Sequence, residues 1–136
     1  MAQQVNIDYG QAEIAAFKQQ AEAAAQSGHF LFDSQVVDDL VRLYDHLIED
    51  LNSELKRIQA VYDVTSFGGF PSTQQLANGF NNKARDFGTT LAQLIEGAMR
   101  MQEAVLLAGG KTTEAEAKNT QAIQFSAQAL GTEKSA

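Results

Sequence analysis

Residues 34–62, SQVVDDLVRLYDHLIEDLNSELKRIQAVY, decide the fold. Val37, Leu40, Val41, Tyr44, Leu47, Ile48, Leu51, Leu55, Ile58, Val61 and Tyr62 recur mostly three or four positions apart. On a helix that spacing makes one apolar stripe, whereas on a strand it scatters over both faces. Asp38, Asp39, Arg42, Asp45, Asp50, Lys56 and Arg57 fill the intervals, and no Gly or Pro interrupts the run. Propensity therefore agrees with pattern. The stretch predicts a helix about 43 Å long at 1.5 Å per residue.

A second long helix is predicted over residues 73–108. Leu76, Phe80, Ala84, Phe87, Leu91, Leu94, Ala98, Met101, Val105 and Ala108 repeat with a period near ~3.5, which suits left-handed antiparallel pairing with the first helix. Gly79, Gly88 and Gly97 fall inside it. Each costs about 1 kcal/mol of propensity relative to Ala, which favours a neighbouring helix approaching closely at these points. Between the two helices lies a loop with Phe67, Gly68, Gly69, Phe70 and Pro71. Pro71 disfavours a helical conformation at Phe70. Ser72, with Gln75 three residues on, has the pattern of an N-cap and capping box.

Working outward, residues 10–27 are rich in Ala, Gln and Glu and predict an N-terminal helix with a thin stripe of Ile14, Phe17, Ala21, Ala24 and Ala25. Gly28 is placed to stop it. His29, Phe30, Leu31 and Phe32 form an apolar connector expected to be buried against the hairpin, and Asp33 or Ser34 caps the next helix. Gly109 and Gly110 end the second long helix, and Thr113 with Glu116 marks the start of a fourth over about residues 114–130. Residues 1–9 are expected to be disordered or extended and 131–136 disordered. The prediction is one all-α domain over 1–136, a four-helix bundle organised on an antiparallel hairpin at 33–108.

A chain of 136 residues can bury a core of its own, and its 44% hydrophobic content is that of a globular domain. Net charge is −7, which argues against nucleic acid and anionic lipid as partners. Residues 33–63 carry eight acids against three bases, a solvated face or a docking face for a basic partner. Having no cysteine, the chain has no disulfides, thiolate metal sites or cysteine nucleophile. No apolar run reaches the ~18 residues of a membrane span, and residues 1–10 have neither the charge nor the apolar stretch of an ordinary secretory signal.

Catalytic constellations are weak. His46 precedes Glu49 and Asp50 by three and four positions, but a helical di-metal site needs Glu-x-x-His, and position 43 is Leu. His29 sits in a connector, and Ser66 has no context that would activate it. Phosphate-cradling glycine motifs are missing. No cofactor is expected. A metal-dependent helical enzyme is the weakest of the readings.

Two long helices joined by a loop containing Phe67-Gly68-Gly69, in a small acidic chain without cysteine or signal peptide, resemble the WXG-type helical-hairpin proteins of type VII (ESX) secretion. Phe67 stands where that family has Trp. The resemblance spans the hairpin, a little over half the chain. It implies association through Leu40, Tyr44, Leu47, Leu51, Phe80, Phe87, Leu91, Leu94 and Met101, with Phe67, Gly68, Gly69 and Phe70 as an interaction loop. It also implies a homodimer or a related small helical partner, contact with a secretion ATPase or chaperone, and export without a signal peptide. The family's export motif, Y-x-x-x-[DE], follows its second helix. Here Gly110-x-x-x-Glu114 matches by position and lacks the tyrosine, so Glu114 is the residue of a degenerate signal. The alternative is an intracellular helical adaptor or chaperone-like bundle, cytoplasmic and without a secretion role.

Overall fold

The computed structural model describes residues 5–63 and 68–129, and all regular structure in them is helical. Four helices follow one another: α1, Gln11–Gln26; α2, Ser34–Gln59; α3, Pro71–Ala108; and α4, Thr112–Ala129. Helices α1, α2 and α4 each pack on α3. α3 is therefore the axis of the bundle, and it holds most of the buried residues.

The antiparallel pairing of α2 and α3 is fixed at both ends by a side chain filling a glycine. Val37 occupies the space a Cβ at Gly109 would need, and the Tyr62 ring does the same at Gly88. α4 folds back along α3 in the opposite direction; Lys111, in the turn before it, reaches Asp38 of α2 at 2.8 Å, and Lys118 of α4 reaches Asp45 at 3.5 Å. One apolar cluster gathers Val37, Val105, Leu106 and Ala115, with Phe17 and Phe32 against it. The other gathers Leu55, Leu91, Ala92 and Ile95, with Phe125 and Ala129. Gln102 is fully buried between them, its amide nitrogen donating to the Val41 carbonyl at 2.9 Å and to Asp45 at 2.7 Å. A buried amide with fixed acceptors on α2 penalises any slip of the two helices.

Helix ends obey local chemistry. Asp33 caps α2, its carboxylate accepting from the Val36 N–H at 2.9 Å. α1 and α3 both finish in a Schellman turn, with Gly28 (φ +79°) and Gly110 (φ +74°) in the left-handed position. The N-terminus of α3 departs from the expectation at Ser72. Pro71 takes the first helical position and Phe70 the cap position, with no side-chain cap. Proline's fixed φ suits that position, and its missing N–H costs nothing there. α2 ends at Gln59 rather than Tyr62, and α4 starts at Thr112, ahead of the expected Thr113 cap.

Two further expectations are corrected. Of the connector 29–32, only Phe32 turns inward, against Phe17 with ring centroids 5.8 Å apart, while Phe30 and Leu31 are exposed. The glycines of α3 do not admit a helix backbone. Tyr62 fills Gly88 and Tyr9 fills Gly97, whereas nothing among the described residues comes within 4 Å of a Cβ at Gly79. These glycines therefore behave differently on substitution. Gly79→Ala should raise stability by about 0.5–1 kcal/mol through helix propensity alone. Gly97→Ala should gain nothing net, because its methyl would lie 2.7 Å from the Tyr9 ring. Thermal or denaturant unfolding of the two variants checks the contrast.

Candidate functional site

Packing three helices on one leaves part of α3 uncovered. Leu76, Phe80, Phe87 and Leu94 are 60%, 44%, 52% and 38% exposed. They fall within about 40° of one another on a 3.6-residue helix, so they form one line roughly 27 Å long at 1.5 Å per residue. Exposed Lys83 falls on the same line between Phe80 and Phe87, so the large apolar side chains are spaced along it rather than contiguous.

Toward the C-terminal half of α3 this line runs into a groove of about 240 Å³. Tyr44, Leu47 and Leu51 of α2 make one wall, and Tyr9 and Ile14 the other. Leu94, Gly97, Ala98 and Met101 of α3 complete it. Leu43, one turn before Leu47, adds another exposed apolar side chain on α2.

The expected association residues thus divide. Leu91 is buried, and Leu40, Tyr44, Leu51 and Met101 are half-buried in the seams. Leu47, Phe80, Phe87 and Leu94 are exposed, as is Phe70 beside the joint between α2 and α3. Gly68 has φ +105° and packs on Thr73. Phe67 lies outside the described residues, as do Leu130 and residues 131–136. Glu114 is exposed in the first turn of α4.

Tyr9, in the second wall of the groove, ends a segment whose order the composition did not indicate. Residues 5–9 lie extended along α3, with Val5, Ile7 and Tyr9 half-buried and Asn6 and Asp8 exposed. Gln93, buried on α3, binds this strap with both ends of its amide. Its nitrogen donates to the Val5 carbonyl and its oxygen accepts from the Ile7 N–H, each at 2.7 Å. That is the pairing a neighbouring β-strand would offer. The alternation Val5, Ile7, Tyr9 was the available signal for an extended segment. Burial, with Glu96 nearby, pushes the Tyr9 phenol above its ordinary value of 10, against the pull of Arg100.

Beyond the strap, a smaller polar hollow holds Lys18, Arg100 and Glu103. Glu103 is nearly buried and paired to Lys18 at 2.8 Å and Arg100 at 3.6 Å, so its charge is already satisfied. Among the described residues no three His, Asp or Glu side chains gather as a metal site, and His46 is exposed on α2. No helix among them is long and apolar enough to cross a membrane.

Two tests follow from the strap. Gln93→Ala should release it, seen as loss of hydrogen-exchange protection at the Ile7 amide with α3 amides unchanged. A phenol held protonated by the fold contributes its stability fully below pH 10 and loses it as pH rises through its folded value. Raising the pH past 10 should therefore weaken the hold on the strap in the wild type but not in Tyr9→Phe, read by the same exchange signal.

Compared with known protein families, curated proteins and solved structures, the chain has no significant match.

Proposed function

We propose that this is a non-enzymatic helical-hairpin protein that works by helix–helix association and serves as a substrate or component of type VII (ESX) secretion. The exposed line Leu76, Phe80, Phe87 and Leu94 carries the association half of that reading. Leaving it in water forfeits about 25 cal/mol per Å² of apolar area, a cost that a covering partner recovers. The partner is a copy of the chain or a related small helical protein, docked along α2 and α3.

The secretion half rests on the resemblance of the hairpin and its Phe67-Gly68-Gly69 joint to WXG-type proteins. One spatial detail supports it further. The position matching the family's tyrosine is Gly110, and the exposed ring of Phe30 lies over it, in the space a side chain there would fill. Phe30 with Glu114 could present an aromatic and an acid at one end of the bundle, as the linear motif does. The missing tyrosine itself favours the alternative, an adaptor that stays in the cell.

Size-exclusion chromatography with light scattering tests association. Phe87→Glu should weaken any complex at least about tenfold while leaving the unfolding midpoint nearly unchanged, since surface substitutions usually shift stability within about ±0.5 kcal/mol. Recovery of tagged chain from culture medium, dependent on an intact secretion ATPase, tests export. Phe30→Ala and Glu114→Ala should each abolish it. Export that ignores both changes removes the composite signal, and no export at all leaves the adaptor reading.

A further inference from the structure

We infer that the side of α3 carrying Gln93 and Gly97 is a socket for an extended peptide of the pattern apolar-x-apolar-x-Tyr, and that two copies of this chain exchange residues 5–9 between their sockets. The inference goes beyond the association reading and makes no use of the exposed residues Leu76, Phe80 and Phe87.

The socket is built into the helix. Gln93 and Gly97 stand four positions apart, on one side of α3. Gln93 is only 7% exposed, and both ends of its amide are spent on the strap backbone, at Val5 and Ile7. Main-chain contacts of that kind hold an extended peptide whatever its side chains. Gly97 adds selectivity. The Tyr9 ring lies 2.7 Å from where a Cβ there would stand, so the ring has a seat only because the helix carries glycine, at a cost in propensity. Val5, Ile7 and Tyr9 are half-buried while Asn6 and Asp8 are exposed, so alternate positions are read and the intervening ones are free.

The shape of the strap is set elsewhere, by its own neighbours in sequence. Gln11 repeats the clamp of Gln93, its amide donating to the Ile7 carbonyl at 3.1 Å and accepting from the Tyr9 N–H at 3.2 Å. The Asp8 carboxylate accepts from the Gly10 N–H at 2.8 Å, and Gly10 turns the chain into α1 with φ +94°. These partners are two or four positions apart, whereas Gln93 is 86 positions from Ile7 and 88 from Val5. Residues 5–11 thus form a hook by local contacts, and α3 supplies the socket independently.

That separation names the occupant. The sequence seated in the socket is the chain's own, so the hook of a second copy brings the same atoms to the same partners. Exchange of one element between identical chains remakes every contact it breaks and costs association entropy. In the closed molecule the strap acts at an effective concentration on the order of millimolar, so a second copy enters only when the resident strap has opened. A segment held by few contacts opens readily.

The test uses two full-length variants, each unable to close on itself. An acceptor with Ile7→Pro and Tyr9→Ala loses the strap's N–H donor and its ring but keeps the socket. A donor with Gln93→Ala and Gly97→Ala loses the socket but keeps the strap. Hydrogen exchange reads the Ile7 amide, which only the donor possesses, and unchanged α3 amides show that the fold is kept. The donor alone should leave that amide unprotected, and adding the acceptor should restore protection at least about tenfold. An acceptor that also carries Gln93→Ala should restore none. A labelled peptide of residues 5–11 gives a second reading without the donor's altered helix. It should bind the acceptor, and its Tyr9→Ala form should bind about tenfold more weakly. No restored protection and no peptide binding overturns the inference and leaves the association reading standing. So does protection restored equally without Gln93. Restored protection that Phe87→Glu in both variants abolishes belongs to the exposed face of α3, and it overturns the exchange while supporting association.

Discussion

Everything in this molecule depends on α3, the one helix on which the other three pack. α2 is pinned to it by Val37 against Gly109 and by Tyr62 against Gly88, so the two helices cannot slide. α1 and α4 then find their places on what remains of its apolar circumference. α4 covers the side that ends at Leu91 and Ala92, and α1 the side near Met101 and Glu103. Leu76, Phe80, Phe87 and Leu94 stay partly exposed along α3.

Polar side chains set the accuracy of this packing more than its strength. Gln102 would be replaced at little cost by a leucine if only burial mattered, yet its amide nitrogen finds two acceptors on α2. Glu103 is held between Lys18 of α1 and Arg100 of α3. The pairs Lys111–Asp38 and Lys118–Asp45 link the turn before α4 and α4 itself to the acidic helix. Among the described residues 68–129, three basic side chains thus act on acids of α2 or the turn after it, Arg85 included, with its Asp63 contact at 2.7 Å.

The strap couples the two themes. Tyr9, at the end of the extended segment 5–9, is part of the outer wall of the groove, and the Gln93 amide and the seat of the Tyr9 ring on Gly97 hold the segment to α3. Few contacts hold it, so its opening free energy lies at the low end of the molecule's range.

The sequence by itself determined the helices. Their number, their order, and the ends at Asp33, Gly28 and Gly109–Gly110 were legible because periodicity, propensity and capping are local properties of the chain. It also determined which residues were apolar enough to associate. Tertiary structure alone decided which of those became core. Leu91 and Phe87 stand one turn apart in the same repeat, yet one is buried under α2 and α4 and the other faces out. That division depends on the angle at which three neighbours settle around α3, which no local pattern encodes. The glycines show the same limit from the other side. The sequence marked Gly88 and Gly97 as places of close approach, but the bodies that approach, Tyr62 and Tyr9, lie 26 and 88 positions away along the chain and were brought there only by folding.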